Sequence, residues 1–185
     1  MDNSYRIRKL SRFLRYSCIL GMIAKPLLNA FYWIHDGFRI FYFEKTKWMV
    51  KFADAPYLSI EELSQWQKFE GFLTDLIPYF FFLVNMLIMT RLFTRFEKLD
   101  FCSANTVKDI RQIGLVLVAS LIAHPFYVAL HSYVLSLPNA LGQRVVIFAY
   151  GPNEITILFL ALIAFLAARV MEEGRRIHEE NSKTI

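Results

Sequence analysis

Four long apolar runs, at residues 16–34, 72–93, 113–137 and 155–168, decide what this chain can fold into. A hydrocarbon core about 30 Å thick is crossed by ~20 helical residues rising 1.5 Å each. The first three runs reach that length. The fourth reaches it once residues 150–153 and Val170 and Met171 are added. A helix buried in a water-soluble protein usually keeps a polar face. Here IPYFFFLVNMLIM has only Asn85 as a strongly polar break, and IGLVLVASLIA only Ser120. The expected fold is therefore all-α. It is a polytopic membrane protein with four transmembrane helices, over about 16–36, 72–93, 112–137 and 153–171. The bulk composition agrees, since 56% of the residues are hydrophobic against an ordinary 45–50%.

The first run follows Arg6, Arg8, Lys9, Arg12 and Arg15, which resemble the basic region of a signal peptide. It is longer than such a peptide allows, Lys25-Pro26 interrupts it, and no small-x-small site follows. An uncleaved anchor is expected.

Cations set the orientation. The arm 1–15 carries five, the segment 91–111 five and the tail from Arg169 four. The loop 37–71 and its flank carry five, and the third loop only Arg144. Placing both termini in the cytoplasm puts 14 cations inside and 6 outside. The protein is expected to be N-in and C-in. The net charge of +5 then calls for no direct nucleic-acid partner, because anionic lipid of the inner leaflet holds basic residues at about 1 kcal/mol each. Cys18 and Cys102 fall on the cytoplasmic side, where thiols stay reduced.

Local signals refine this layout. Pro26 should kink the first span. Ser59 and Glu62 fit a capping box, so a short interfacial helix is expected over about 60–70, or else a continuation into the second span. Trp33, Trp48 and Trp66 suit an aromatic belt at the outer interface, or equally packing within the bundle. Ser103 or Asn105 can cap the third helix, and Asn153 the fourth, where the helix dipole favours Glu154. The tail pairs Glu172 with Arg176, Arg176 with Glu180 and Arg175 with Glu179 at helical spacing. The fourth helix should thus extend into the cytoplasm through the charged tail 172–185 and fray near Asn181.

HExxH, GxSxG, P-loop and GxGxxG signatures are absent, and the cysteines lack zinc spacing. No catalytic residue, metal site or cofactor is implied. The remaining candidates are polar residues inside the spans, which are costly there. They are Lys25, Asn85, His124 and His131, the two histidines sharing one helical face. Each has a plain alternative. Lys25 can snorkel, or bond a carbonyl freed at Pro26. No carboxylate is expected at its depth. His124 can make an interhelical hydrogen bond. His35, Asp36, Asp75 and His131 share a depth at which a proton or metal site can form, although Asp75 can simply begin its helix.

Two segments carry a family resemblance. FCSANTVKDIRQIG (101–114) and RVMEEGRRIHEENSKTI (169–185) resemble the bacterial membrane proteins of domain of unknown function 2975. Phe101, Asn105 and Gly114 match that family's step into the third helix, while Cys102 and Ala104 depart from it. Gly174, Ile177, Glu179, Glu180, Thr184 and Ile185 match its ending, while Ser182 and Lys183 depart. The resemblance implies a four-span protein of the bacterial inner membrane with no established activity, often encoded beside a small helix-turn-helix regulator. Phe101, Asn105, Gly174, Ile177, Glu179 and Glu180 become candidate docking residues for such a cytoplasmic partner or for another membrane subunit. Assembly with a second copy is compatible with the sequence. The rival expectations are a small transporter or ligand sensor at Lys25, Asn85, His124 and His131, and a metalloenzyme at the outer His/Asp group.

Overall fold

A computed structural model describes residues 2–34, 63–101, 103–140 and 142–182. All regular structure among them is helical. The four helices are α1 (Asp2–Ile34), α2 (Gln65–Glu97), α3 (Ala104–Leu135) and α4 (Pro152–Ser182). Each is long and apolar enough to cross a membrane. The 33 residues of α1 or α2 extend about 50 Å at 1.5 Å per residue, so each overreaches the hydrocarbon core.

The helix ends show how the sequence sets them. Ser64 and Gln67 form a capping box at α2: Gln67 N–H donates to Ser64 Oγ (3.3 Å), and Ser64 N–H donates to Gln67 Oε1 (2.9 Å). Residues 63 and 64 are not helical, so the helix expected over 60–70 is, where described, the first turns of α2. Ser59 and Glu62 lie outside the described residues.

α2 stops in a reciprocal C-cap. Asp100 N–H bonds Arg95 C=O and Leu99 N–H bonds Phe96 C=O, both at 3.0 Å, the Schellman pattern. That pattern needs a left-handed residue, and Leu99 supplies it at φ 62° where glycine is usual. Ser103, rather than Asn105, caps α3, accepting Thr106 N–H at 3.3 Å. Gly151, rather than Asn153, caps α4. Its N–H donates to Glu154 Oε2 at 2.6 Å, and Pro152 occupies the first helical position, where its missing N–H costs nothing.

The arm expected at 1–15 is no separate element, since α1 runs unbroken from Asp2. Pro26, Pro78 and Pro125 all lie inside helices. Each leaves the carbonyl four residues earlier without its helical donor. For Pro125 that carbonyl is Leu121, and the Tyr150 hydroxyl donates to it at 3.3 Å.

The chain forms two compact units, and every helix contributes to both. One comprises Met1–Ile23, Phe81–Ser120 and Thr156–Ile185; the other comprises Ala24–Phe80 and Leu121–Ile155. The core of the first unit is built on small residues. Ala161 and Ala168, seven apart on one α4 face, are buried, and a methyl added at Gly114 would lie 2.9 Å from the Phe165 ring. Small residues let helices approach closely where lipid offers no hydrophobic drive. Leu158, Phe159, Leu162, Ile163 and Leu166 are exposed, which suits contact with acyl chains.

In the second unit the non-helical segment 144–150 is tied to α3. Val145 N–H donates to Ser136 Oγ (3.0 Å) and Ile147 N–H to Ser132 Oγ (2.9 Å). Ser132 and Ser136 are buried. Their spacing of four matches the helix on one side, and the gap of two residues matches extended chain on the other.

Candidate functional site

Asp75 is the centre of a polar cluster in the second unit. It is the eleventh residue of α2, so it does not begin its helix. Trp33 Nε1–H of α1 donates to Asp75 Oδ2 at 2.7 Å. The Tyr127 hydroxyl of α3 donates to Oδ1 at 3.0 Å. His131 Nδ1 lies 3.4 Å from the same oxygen. Groups from α1 and α3 thus converge on one carboxylate of α2.

Lys25 also lies within electrostatic reach of Asp75. The expectation that no carboxylate sits at its depth is corrected. Asp75 lies so near because α2 begins at Gln65 and carries this carboxylate well inside the helix.

Trp33 takes the second of its two expected places, packed within the bundle. It is buried to 3% exposure, its N–H is held by Asp75, and its ring stands edge-on to His131 with centroids 5.8 Å apart. Gly71 permits this, because a methyl at that position would fall into the Trp33 ring. Trp66, in contrast, is exposed beside Phe69. Trp48, His35 and Asp36 lie outside the described residues.

A second carboxylate–histidine pair stands on the same α3 face. His124 Nε2 lies 3.1 Å from Glu154 Oε1, the carboxylate that also caps α4. Tyr127 stands between the pairs, its ring centroid 6.0 Å from that of His124 and 5.3 Å from that of His131. The spacing 124, 127, 131 is a helical stripe. The histidines are visible in sequence. Asp75 was expected at the depth of His131, whereas the roles of Tyr127, Glu154 and Trp33 were missed because each has an ordinary use on its own element.

Asn85 does not join this cluster. It belongs to the first unit, where it is buried and its Oδ1 has no hydrogen-bond partner among the described residues. Among the described residues no group of three His, Cys, Asp or Glu side chains could hold a metal ion.

The first unit carries the candidate docking residues. Arg12 and Arg15 of α1 converge on Glu97 at 2.8 and 2.9 Å. Arg95 Nε reaches Asp109 Oδ2 at 3.3 Å. Ser103 donates to Asp100 Oδ2 at 2.8 Å. Phe101 packs on Phe96 with centroids 5.4 Å apart, and Asn105 is exposed.

On α4, Arg175 bonds Glu172 (2.8 Å) and Glu179, while Arg176 bonds Glu173 (2.8 Å) and approaches Glu180 (3.6 Å). The expected Glu172–Arg176 pair is replaced, because Arg175 claims Glu172 from three residues away. Arg111 of α3 acts electrostatically on Glu172, so the two candidate docking segments are neighbours. Gly174 is open and exposed, as is Ile177. Residues 183–185 lie outside the described chain.

Residues 41–185 match the family model described as "Protein of unknown function (DUF2975)". The chain belongs to this family. With four apolar helices of spanning length, this DUF2975 member is a multi-pass membrane protein. No curated protein and no solved structure matches it.

Proposed function

We propose that this DUF2975 protein is a non-enzymatic subunit of the bacterial inner membrane, both termini cytoplasmic, that docks a cytoplasmic protein partner. The docking face is the segment 95–112 with the helix from Arg169. One observation carries this. α4 continues past its apolar part to Ser182 with its carboxylates matched by Arg175 and Arg176. A helix so neutralised is a poor clamp for anionic lipid. Its stripe of Val170, Gly174 and Ile177 is exposed and suits recognition by another helix. A small helix-turn-helix regulator fits that role, as does a second membrane subunit.

Co-purification after deletion of residues 172–185 tests the proposal. Loss of a cytoplasmic partner that the full chain retains supports docking, and an unchanged partner set rejects it.

The Asp75 cluster favours a second reading, a small transporter or ligand sensor using Lys25, His124 and His131. The expected set included Asn85, which lies in the other unit. Solute-dependent protection of the unfolding transition, lost in Lys25→Met, would support it. The absence of any solute effect would count against it.

A further inference from the structure

The hydrogen-bond pattern around the two α3 histidines fixes which nitrogen of each carries hydrogen. The Thr74 hydroxyl has one hydrogen, and it goes to the Gly71 carbonyl at 2.7 Å. Thr74 Oγ1 can therefore only accept from His131 Nδ1, 3.3 Å away. Asp75 Oδ1, at 3.4 Å from the same nitrogen, also only accepts. Nδ1 is thus the protonated nitrogen of neutral His131, and Nε2 is bare. Nε2 has no protein partner among the described residues.

At His124 the arrangement is the reverse. Glu154 takes Gly151 N–H on one oxygen and faces His124 Nε2 with the other. Nε2 is the donor there and Nδ1 is bare. Each imidazole gives one N–H to a carboxylate, and among the described residues its opposite nitrogen has no protein partner.

Lys25 of α1 lies within electrostatic reach of Asp75, and Tyr127 stands between the two histidine–carboxylate pairs.

We propose that the paired histidines are a proton-binding site, with His131 Nε2 and His124 Nδ1 as the accepting atoms. This deepens the sensor reading by naming the proton as the ligand, and it rests on that reading. Proton uptake at His131 turns its contact with Asp75 from a neutral hydrogen bond into an ion pair. The same Asp75 holds Trp33 of α1, so the proton strengthens a junction of three helices.

The test is imidazole ¹⁵N NMR of the full chain, labelled at histidine, in lipid nanodiscs between pH 8.5 and 4.5. The four histidines are assigned by single His→Gln variants. At high pH, His131 should be the Nδ1–H tautomer and His124 the Nε2–H tautomer. Each should take its second proton within the titration. Asp75→Asn should lower the His131 midpoint by about one unit or more, with a smaller effect at His124, and Glu154→Gln should do the reverse.

Removing Asp75 can unfold the chain, so the tautomer and titration of the unmutated protein stand as the primary readout. An Nε2–H tautomer at His131, or a His131 that stays neutral to pH 4.5, overturns the proposal. The wider sensor reading fails on a different result, the absence of any solute effect on unfolding.

Discussion

Gly71→Ala tests the Trp33–Asp75 junction most sharply. A methyl at Gly71 falls into the Trp33 ring. That ring is buried, and its nitrogen is held 2.7 Å from Asp75 Oδ2. It cannot yield at one end without lengthening the bond at the other. Overpacking of this kind costs about 1–3 kcal/mol. Displacing a hydrogen bond to a charged acceptor costs about 1.5–3 kcal/mol more. Alanine returns about 1 kcal/mol in helix propensity. The net loss is about 1.5–5 kcal/mol, from the same three terms.

Gly174→Ala is the internal control. No atom stands within 4 Å of a methyl there, so only the propensity gain applies, about 1 kcal/mol of added stability. Unfolding of purified protein in mixed detergent–SDS micelles, followed by circular dichroism, reads both. Trp33→Phe should shrink the Gly71→Ala penalty, giving a coupling of about 0.5–3 kcal/mol. A Gly71→Ala protein as stable as Gly174→Ala would refute the account of this junction.

Further outcomes follow from other sites. Leu99→Gly should stabilise the chain by up to about 1 kcal/mol, because a non-glycine residue in the left-handed region costs ~1–2 kcal/mol and glycine returns part of that as lost chain entropy; the same unfolding assay reads it. Ser136→Ala should leave Val145 N–H without its acceptor and cost about 1–3 kcal/mol, seen as faster amide exchange at Val145. Ile177→Glu should abolish capture of the cytoplasmic partner while leaving helix content and unfolding unchanged. An effect on folding instead would assign Ile177 to packing.

Much of the architecture was legible because lipid imposes a length on every span. Three apolar runs of about twenty residues and a shorter fourth leave little freedom, and four helices of spanning length result. The helix ends were less legible. Several Ser, Asn and Asp residues near each boundary can cap, and geometry chose Ser64, Ser103 and Gly151. The prolines interrupt no helix, since a carbonyl released inside one can be taken by a side chain from elsewhere, as Tyr150 takes that of Leu121.

The polar cluster was half legible. His124 and His131 declare themselves by spacing on one helix. Asp75 and Glu154 belong to other helices, and no spacing rule relates positions across helices. For Trp33 the sequence left the interface and the bundle interior equally open, and the nearby Gly71 is what makes room for it inside.

The central claim is that a bilayer surrounds these four helices, with the cation-rich segments on the cytoplasmic side. Reporter fusions test it directly. An alkaline phosphatase fused after residue 60 or 145 should be active, and a fluorescent protein fused after residue 100 or 185 should fluoresce. Phosphatase activity at 100 and 185 with none at 60 and 145 would contradict the orientation, and a chain that stays monodisperse without detergent would contradict the membrane itself.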